Sequence, residues 1–360
     1  MSSIPEKMKA LVVHAPGDYR LEMVDTPRAQ GDDLIVKVEA CGVCAGDLKT
    51  YVGAPSFWGG EGSPSYIKAP MIPGHEFCGF VVEVGPDQKD FKVGDHVVSE
   101  QIVPCWECKF CKTGRYWMCQ KHDVYGFQYN VNGGMAEYMR FPKGSLNYKI
   151  PQEMPMEQAL LIEPYACSKH CVDRAQITNE DVVVLAGAGT LGLGMVGLAR
   201  KKNPAKLIVL DMNDLRLEKA KEFGADIVMN PSKVDVVKEV LDMTDGYGCD
   251  VYIEATGHPS AVGQGLEMVR KLGRFVEFSV FTELATIDWS IIGDRKELDI
   301  LGAHLGPYCY EPVIKWIADG SLPTEGVVSH KFSLEDWQKA FEMAKTGSDD
   351  SLKVVIVPSM

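Results

Sequence analysis

The chain has 360 residues, 46% of them hydrophobic and 24% charged, the balance of a globular protein with a substantial core. Fifty acidic against thirty-seven basic residues leave a net charge of −13, which disfavours nucleic acid and anionic membrane surfaces as partners. At about 150 residues per domain, this length points to two domains.

Met1–Ala10 carries neither an apolar stretch nor a small-residue cleavage site, so no secretory signal is expected. Short strand-like runs punctuated by Gly and Pro follow at Lys9–His14, Asp33–Ala40, Gly79–Val84 and Asp95–Glu100. No helical periodicity interrupts them, and this part reads as β-rich. Residues 101–132 are loop-like and dense in cysteine and aromatic side chains. From Asp181 the pattern alternates. Strands are predicted at Asp181–Ala186, Leu207–Asp211, Asp226–Met229, Val251–Glu254 and Gly273–Phe278, with helices at Asp214–Phe223 and Val234–Met243 among them. That rhythm predicts a parallel, doubly wound α/β sheet. A helix over Leu334–Lys345 and a strand over Leu352–Pro358 close the chain, and composition divides it near Pro155. The uncharged run Val182–Ala199 touches the length of a membrane span, but its five glycines point to another use.

That use is a dinucleotide fingerprint. Gly187-Ala-Gly189-Thr190-Leu191-Gly192 is G-x-G-x-x-G directly after an apolar strand and at the start of a helix. Gly187 permits a tight turn, Gly189 lets a pyrophosphate approach the backbone, and Gly192 lets helix and strand pack closely. The helix N-terminus offers free N–H groups to phosphate. Asp211 ends the next strand at the interval expected for an acid that binds a ribose 2′-OH, which favours NAD over NADP. Thr190, Leu191 and Arg216 complete the expected cofactor contacts.

Eleven cysteines, an odd number, in a chain without a signal read as metal ligands plus reduced core thiols, and place the protein in the cytoplasm. Cys105, Cys108, Cys111 and Cys119 form C-x2-C-x2-C-x7-C, and four soft ligands so close together can complete a tetrahedron around a structural zinc. An iron–sulfur cluster competes, since the first spacings fit a ferredoxin run, but that run needs a fourth Cys where Arg115 stands. Two disulfides are disfavoured by the compartment.

A second, scattered set comprises Cys44 in Cys41-Gly-Val-Cys44, His75 in Pro73-Gly-His75-Glu76, and Glu163 in Leu161-Ile-Glu163-Pro164. One thiolate, one imidazole and one carboxylate leave a zinc position open for water or substrate, as in a catalytic site. Each also has a plain structural reading: Cys44 as a core thiol or half of a redox pair, His75 as a strand-end histidine, Glu163 as a helix-start acid.

Taken together, Gly42-Val-Cys44-x-x-Asp47, Gly74-His75-Glu76, the four-cysteine lobe and G-x-G-x-x-G follow one another along nearly the whole chain. This resembles the zinc-dependent medium-chain alcohol dehydrogenase superfamily, and within it the polyol (sorbitol-type) dehydrogenases. The resemblance implies a GroES-like catalytic domain over 1–155 and 313–360, with its structural zinc lobe at 101–122, and a Rossmann NAD-binding domain over 156–312. It implies Cys44, His75 and Glu163 as catalytic zinc ligands, Glu76 as a residue that supports those ligands from outside or ligates only transiently, and Asp47 as the residue orienting His75. Lys353 matches a position whose cation faces the pyrophosphate.

Two features depart from that pattern. The family often carries Ser or Thr two residues after the ligand Cys, where this chain has Gly46. The interval between Cys44 and His75 is also longer, and the extra stretch Tyr51–Pro70 carries Phe57, Trp58 and Tyr66. Lys49 occupies a position where liver-type alcohol dehydrogenases place a relay histidine. The expected activity is NAD-dependent oxidation of a secondary hydroxyl of a small polyol, erythritol, threitol or a pentitol, by a homodimer or homotetramer. Threonine, butanediol and sorbitol are the alternative substrates. An NAD- and zinc-binding interaction protein is the alternative of a different class.

Overall fold

The computed structural model describes residues 4–60, 62, 64–347 and 351–360, so Glu61 and Ser63 of the extra stretch lie outside it. The chain divides into two compact units. Unit 1 is Met1–Glu163, Tyr310–Asp319 and Thr324–Met360, and unit 2 is Pro164–Cys309 with Gly320–Pro323. The first boundary thus falls after Glu163 rather than at Pro155, and the return after Cys309 rather than after 312. The reason is local: the short helix that begins at Met156 belongs to unit 1, where Glu157 forms an ion pair with Lys331.

In chain order, unit 1 opens with β1 (Lys7–Ala15), β2 (Asp18–Asp25) and β3 (Leu34–Gly42), then α1 (Ala45–Tyr51) and α2 (Pro55–Trp58). After these come β4 (Glu76–Val84), β5 (His96–Ser99) and β6 (Ile102–Val103), the one-turn helix α3 (Lys109–Lys112), and β7 (Asp123–Val124), β8 (Tyr138–Phe141) and β9 (Asn147–Lys149). Then follow α4 (Met156–Ala159) and α5 (Ile162–Arg174), of which all but the first two residues belong to unit 2. Unit 2 carries β10 (Val182–Ala186), α6 (Thr190–Lys201), β11 (Lys206–Leu210), α7 (Asp214–Glu222), β12 (Ile227–Met229), α8 (Val236–Met243), β13 (Cys249–Glu254), α9 (Pro259–Met268), β14 (Val269–Glu277) and β15 (Asp299–Gly302). The last elements, α10 (Tyr310–Ala318), β16 (Val328–Phe332), α11 (Trp337–Thr346) and β17 (Lys353–Ile356), return to unit 1.

Unit 1 is built on a sheet of order β16-β17-β3-β4-β5-β9, with β8 also paired to β3. Its central strand β3 buries Leu34, Ile35, Val36, Val38, Ala40 and Cys41, and only Lys37 along it is exposed. The register sets Gly42 opposite both Glu76 of β4 and Val355 of β17, so the end of β3 meets the start of β4 and the chain's last strand.

Unit 2 is a six-stranded parallel sheet of order β12-β11-β10-β13-β14-β15. The first strand of the unit lies inside, and the order reverses between β10 and β13, the place where doubly wound sheets bind ligands. The uncharged run at 182–199 is explained here. It is divided among β10, the glycine turn and the twelve-residue α6, and no helix among the described residues is long and apolar enough to cross a membrane. Its glycines serve packing: a Cβ on Gly194 would lie 2.6 Å from the Tyr165 ring of α5.

Candidate active site

Cys44 precedes α1 as its N-cap, and Asp47 in the first turn accepts the Cys44 N–H at 2.9 Å. This reciprocal cap holds the thiol at a helix start. His75 follows a glycine at φ +97° and leads into β4, whose first residue is Glu76. The ligand atoms of Cys44, His75 and Glu76 all lie within 4.8 Å of one another. Asp47 Oδ1 stands 3.9 Å from His75 Nδ1, on the side expected of an orienting carboxylate but beyond hydrogen-bond length. Burial opposes a charged imidazole, yet Cys44, Asp47 and Glu163 outweigh it and hold His75 well above its ordinary range. These surroundings favour positive charge at the point where the thiol, imidazole and carboxylate meet. A zinc ion fits that donor set.

Glu163 stands outside the mutual 4.8 Å set. Its Oε1 accepts the Gln101 amide at 2.5 Å, and Gln101 in turn accepts the Tyr310 hydroxyl at 3.0 Å. Tyr148 stacks on Tyr310 with centroids 5.2 Å apart. The carboxylate that converges with Cys44 and His75 is therefore Glu76, while Glu163 is held beside them by a hydrogen-bonded chain. Neither Gln101 nor Tyr310 belongs to a spaced motif, and no signal in the sequence marks them.

Lys353, expected to face a pyrophosphate, is buried here against Glu76. Its ammonium forms an ion pair with Glu76 and donates to the Val43 carbonyl at 3.1 Å, and the residue is 4% exposed. Burial alone would lower this ammonium, but Glu76, Cys44 and Glu163 keep it above its ordinary value. The pair fits because Gly42 has no side chain: a Cβ there would stand 2.2 Å from Glu76 Oε2 and 2.8 Å from Lys353 Cε.

The extra stretch contributes an aromatic wall. Phe57 of α2 stacks on Phe127 at 5.5 Å, and Phe127 lies 5.2 Å from the His75 ring. A Cβ on Gly46 would meet Phe127, His75 and Phe57 at 3.6, 3.8 and 3.9 Å, ordinary contacts, so the glycine leaves a small space inside this wall. Trp58 turns to the Thr50 carbonyl at 2.7 Å and Tyr66 to the His122 carbonyl at 3.0 Å. Phe127 escaped sequence reasoning because it lies far from both the zinc motif and the insertion. Lys49 is on α1, where burial pushes its ammonium down and the Cys44 sulfur draws it back up, with a net lowering.

Cys105, Cys108, Cys111 and Cys119 converge within 4.8 Å, and none is in a disulfide. The Gln120 amide donates to Cys108 Sγ, which is drawn down to about 6 by that N–H and its neighbours. Burial and the Cys108 thiol push Cys111 up to about 12. Four sulfurs gathered at these separations fit a tetrahedral zinc with no open position.

In unit 2, Gly187 has φ +104° and its Cβ would lie 2.7 Å from the Ala255 carbonyl. A Cβ on Gly192 would lie 1.9 Å from the Gly187 carbonyl, whereas nothing stands within 4 Å of Gly189, the position a pyrophosphate approaches. Thr190 opens α6, and the Leu191 carbonyl accepts the Ser168 hydroxyl at 2.8 Å. Asp211 accepts the Ala188 N–H at 2.7 Å and the Asn213 N–H at 2.8 Å, which fixes its carboxylate beside the glycine turn. Arg216 sits in the first turn of α7, its N–H capped by Asn213 at 3.2 Å.

Residues 30–152 match the alcohol dehydrogenase GroES-like domain family, and residues 190–319 the zinc-binding dehydrogenase family. The chain is 50% identical over 361 residues to an erythritol/L-threitol dehydrogenase of Mycolicibacterium smegmatis, covering 99% of each chain. It is 36% identical over 348 residues to an L-threonine 3-dehydrogenase of Pyrococcus horikoshii, covering 95% of this chain and 97% of the other. Among solved structures, a 2R,3R-butanediol dehydrogenase from Bacillus subtilis is similar with a TM-score of 0.85 at 28% identity, covering 98% of this chain and 99% of that one.

Proposed function

The chain belongs to the zinc-binding alcohol dehydrogenase family, and we propose that it oxidises a secondary hydroxyl of a short polyol to the ketose with NAD as hydride acceptor. The favoured substrate is a tetritol, erythritol or threitol, with a pentitol next. The observation that carries the reaction class is the convergence of Cys44, His75 and Glu76, with Glu163 held beside them by Gln101. The choice of tetritol rests on the full-length likeness to the mycobacterial enzyme.

Cys44, His75 and Glu163 would hold the catalytic zinc, with Glu76 exchanging onto it, and the four-cysteine lobe a second ion. A zinc ion bound there supplies Lewis acidity, which makes a hydroxyl a better proton donor near neutral pH. The chain's own residues do the rest. Asp47 fixes the Cys44 backbone and faces the outer nitrogen of His75. Lys353 neutralises Glu76 in the resting state, so that this carboxylate is not committed to the metal. Phe127, backed by Phe57, covers the His75 ring and would exclude water from one side of the substrate. Lys49, its ammonium lowered by burial, is the candidate to take up the hydroxyl proton, since Gly46 has no side chain to do so. In unit 2 the glycine turn would hold the pyrophosphate and Asp211 the adenosine ribose. Reduced cysteines fit a cytoplasmic enzyme, and a homodimer or homotetramer is the assembly the family favours.

Steady-state rates on erythritol, both threitols, pentitols, sorbitol, 2,3-butanediol and threonine, each with NAD and with NADP, test the reading by nicotinamide absorbance. The highest kcat/KM should fall on a tetritol with NAD. A preference for threonine or butanediol overturns the substrate. No turnover on any of them, with zinc and NAD still bound, favours an interaction protein instead.

A further inference from the structure

Three neighbouring strands of unit 1 carry a third convergence of metal-binding atoms, which shares no ligand with the two above. Cys78 lies on β4 and His96 on β5, and the register sets His96 opposite Phe80, so Cys78, Phe80 and His96 share one face. On β3 the pairing runs Val38 to Gly79 and then Ala40 to Cys78, which leaves Glu39 as an extra, bulged residue. A bulge re-aims a side chain. Here it brings Glu39 to the face of Cys78 and His96.

The geometry suits a cation. Glu39 Oε2 lies 3.2 Å from His96 Nε2 and 3.6 Å from Cys78 Sγ, and the three ligand atoms fall within 4.8 Å of one another. In a zinc tetrahedron with bonds of about 2.0 Å to N and O and about 2.3 Å to S, the edges are roughly 3.3 Å for N–O and roughly 3.5 Å for S–O. The two measured separations lie close to those edges.

The surroundings of His96 independently point to a ligand. Its side chain is fully buried, and its ring stacks on Phe80 at 4.3 Å and 16°. Its Nδ1 lies 3.2 Å from the Pro151 carbonyl, which can only accept, so Nδ1 carries the hydrogen. Metal-bound histidines are held in this way, the outer N–H donated to a carbonyl and the other nitrogen aimed inward. Nε2 is buried without a hydrogen-bond partner and faces a carboxylate oxygen and a sulfur. Three electron-rich atoms at such separations need positive charge between them, supplied by protons or by a metal ion.

We propose that Glu39, Cys78 and His96 form a third metal site, selective for a borderline-soft divalent ion of the zinc class. A thiolate, an imidazole and one carboxylate make this set suitable for Zn²⁺, Co²⁺ or Cd²⁺ and poor for Mg²⁺ or Ca²⁺. Binding exchanges the Cys78 thiol proton for the ion and leaves a fourth position on the side of Glu39, whose side chain is 30% exposed. The ion would tie β3, β4 and β5 together. The proposal does not depend on the catalytic reading, because it draws on none of those ligands.

The test counts metal in the intact enzyme. Wild type, Cys78→Ser, Glu39→Gln and His96→Gln are equilibrated with excess Zn²⁺, freed of unbound ion and analysed for zinc. Wild type should hold one ion per chain more than Cys78→Ser, whatever the occupancy elsewhere. Wild type loaded with Co²⁺ in place of Zn²⁺ should show a larger sulfur-to-cobalt charge-transfer absorbance per chain than Cys78→Ser loaded in the same way. Glu39→Gln should weaken the extra ion by more than the roughly 10–100-fold that loss of an outer partner costs. If a buried variant fails to fold, Glu39→Gln decides, with near-UV circular dichroism as the check on fold. Equal affinity for the extra ion in wild type and Glu39→Gln, read by zinc titration, overturns the site, as does equal cobalt charge-transfer absorbance in wild type and Cys78→Ser.

Discussion

Lys353 and Glu76 form an ion pair sealed against the bare backbone of Gly42. The two charges come from opposite ends of the chain, and each is almost entirely withdrawn from water. Breaking such a pair from one side leaves an uncompensated buried charge, at a cost of about 3–5 kcal/mol. Lys353→Met should therefore lower Tm by several degrees and leave NAD affinity unchanged, as read by thermal melts and cofactor titration. Gly42→Ala should act in the same direction. Reduced NAD affinity with an unchanged Tm in Lys353→Met would restore the pyrophosphate role.

Zinc content separates the two cysteine-bearing sites. Metal-replete wild type should carry at least about two ions per chain from these sites. Cys111→Ser should lose one with a large fall in Tm, because a closed structural site contributes folding energy directly. Glu163→Ala should lose activity and catalytic metal with little change in Tm. Elemental analysis beside a melting curve checks both, and metal retained in Glu163→Ala would remove that residue from the ligand set.

Asp211 is proposed to set cofactor choice. Its carboxylate is fixed by two backbone amides at the glycine turn, where it would accept a ribose hydroxyl and repel a 2′-phosphate. Wild type should favour NAD, and Asp211→Ala should narrow the NAD/NADP ratio of kcat/KM by about tenfold or more, the size of one charge-assisted hydrogen bond. A wild-type preference for NADP contradicts the assignment.

The proton route can be read from Lys49 and Gly46. Lys49→Met should reduce kcat by at least about tenfold and move the pH–rate profile while NAD affinity stays the same. Gly46→Ser should fold well, since its Cβ makes only ordinary contacts, and replacing a helical glycine adds roughly 0.5 kcal/mol. Its bulk beside Phe57 and Phe127 should raise KM for the polyol. A Lys49→Met enzyme with normal kcat across pH removes that residue from the route.

Glu100 gives a pH dependence of stability apart from catalysis. Burial lifts its carboxyl from 4.5 to about 7, against the hydroxyls of Tyr148 and Tyr116 that donate to it at 2.8 and 2.9 Å. The folded state holds this proton more tightly than the unfolded state. Stability from this group is therefore fullest below about 4.5 and is lost as pH rises to about 7. Glu100→Gln keeps the acceptor oxygen and removes the charge, so it should raise Tm by a few degrees at pH 8 and flatten the Tm profile between pH 5 and 7. Identical profiles for the two proteins would contradict it.

The sequence was most legible where local chemistry forces geometry. Glycines 187, 189 and 192 announced the turn because each does something a side chain would prevent, and the Cys105–Cys119 spacing leaves few ways to arrange four sulfurs. The inner strands of unit 2 were readable as apolar runs because both their faces are covered. Edge strands were not. β2 and β16 are largely solvent-facing, so Asp18–Asp25 and Val328–Phe332 show no apolar run to recognise. In the site, the pairing of Lys353 with Glu76 could not be foreseen, because a lone lysine carries no information about direction. Gln101, Phe127 and Tyr310 act through contacts made across 62, 52 and 209 residues of chain, counted to Glu163, His75 and Gln101. No window of sequence spans such pairings.

β17 lies between β16 and β3 in the sheet of unit 1, and it brings the counter-charge of Glu76. During synthesis, the first 163 residues leave the ribosome long before that strand exists. Nearly all of unit 2 is made in the interval. At roughly 5–20 residues per second, the edge of β3 waits on the order of ten seconds or more for its neighbour. Unit 2, almost continuous in sequence, can fold as it emerges, whereas the proposed metal centre can be completed only once β17 has been made. A nascent chain stalled before Lys353 should therefore bind cofactor before it can hold a properly balanced catalytic metal, so maturation runs from coenzyme site to metal site, against the order in which their residues are translated.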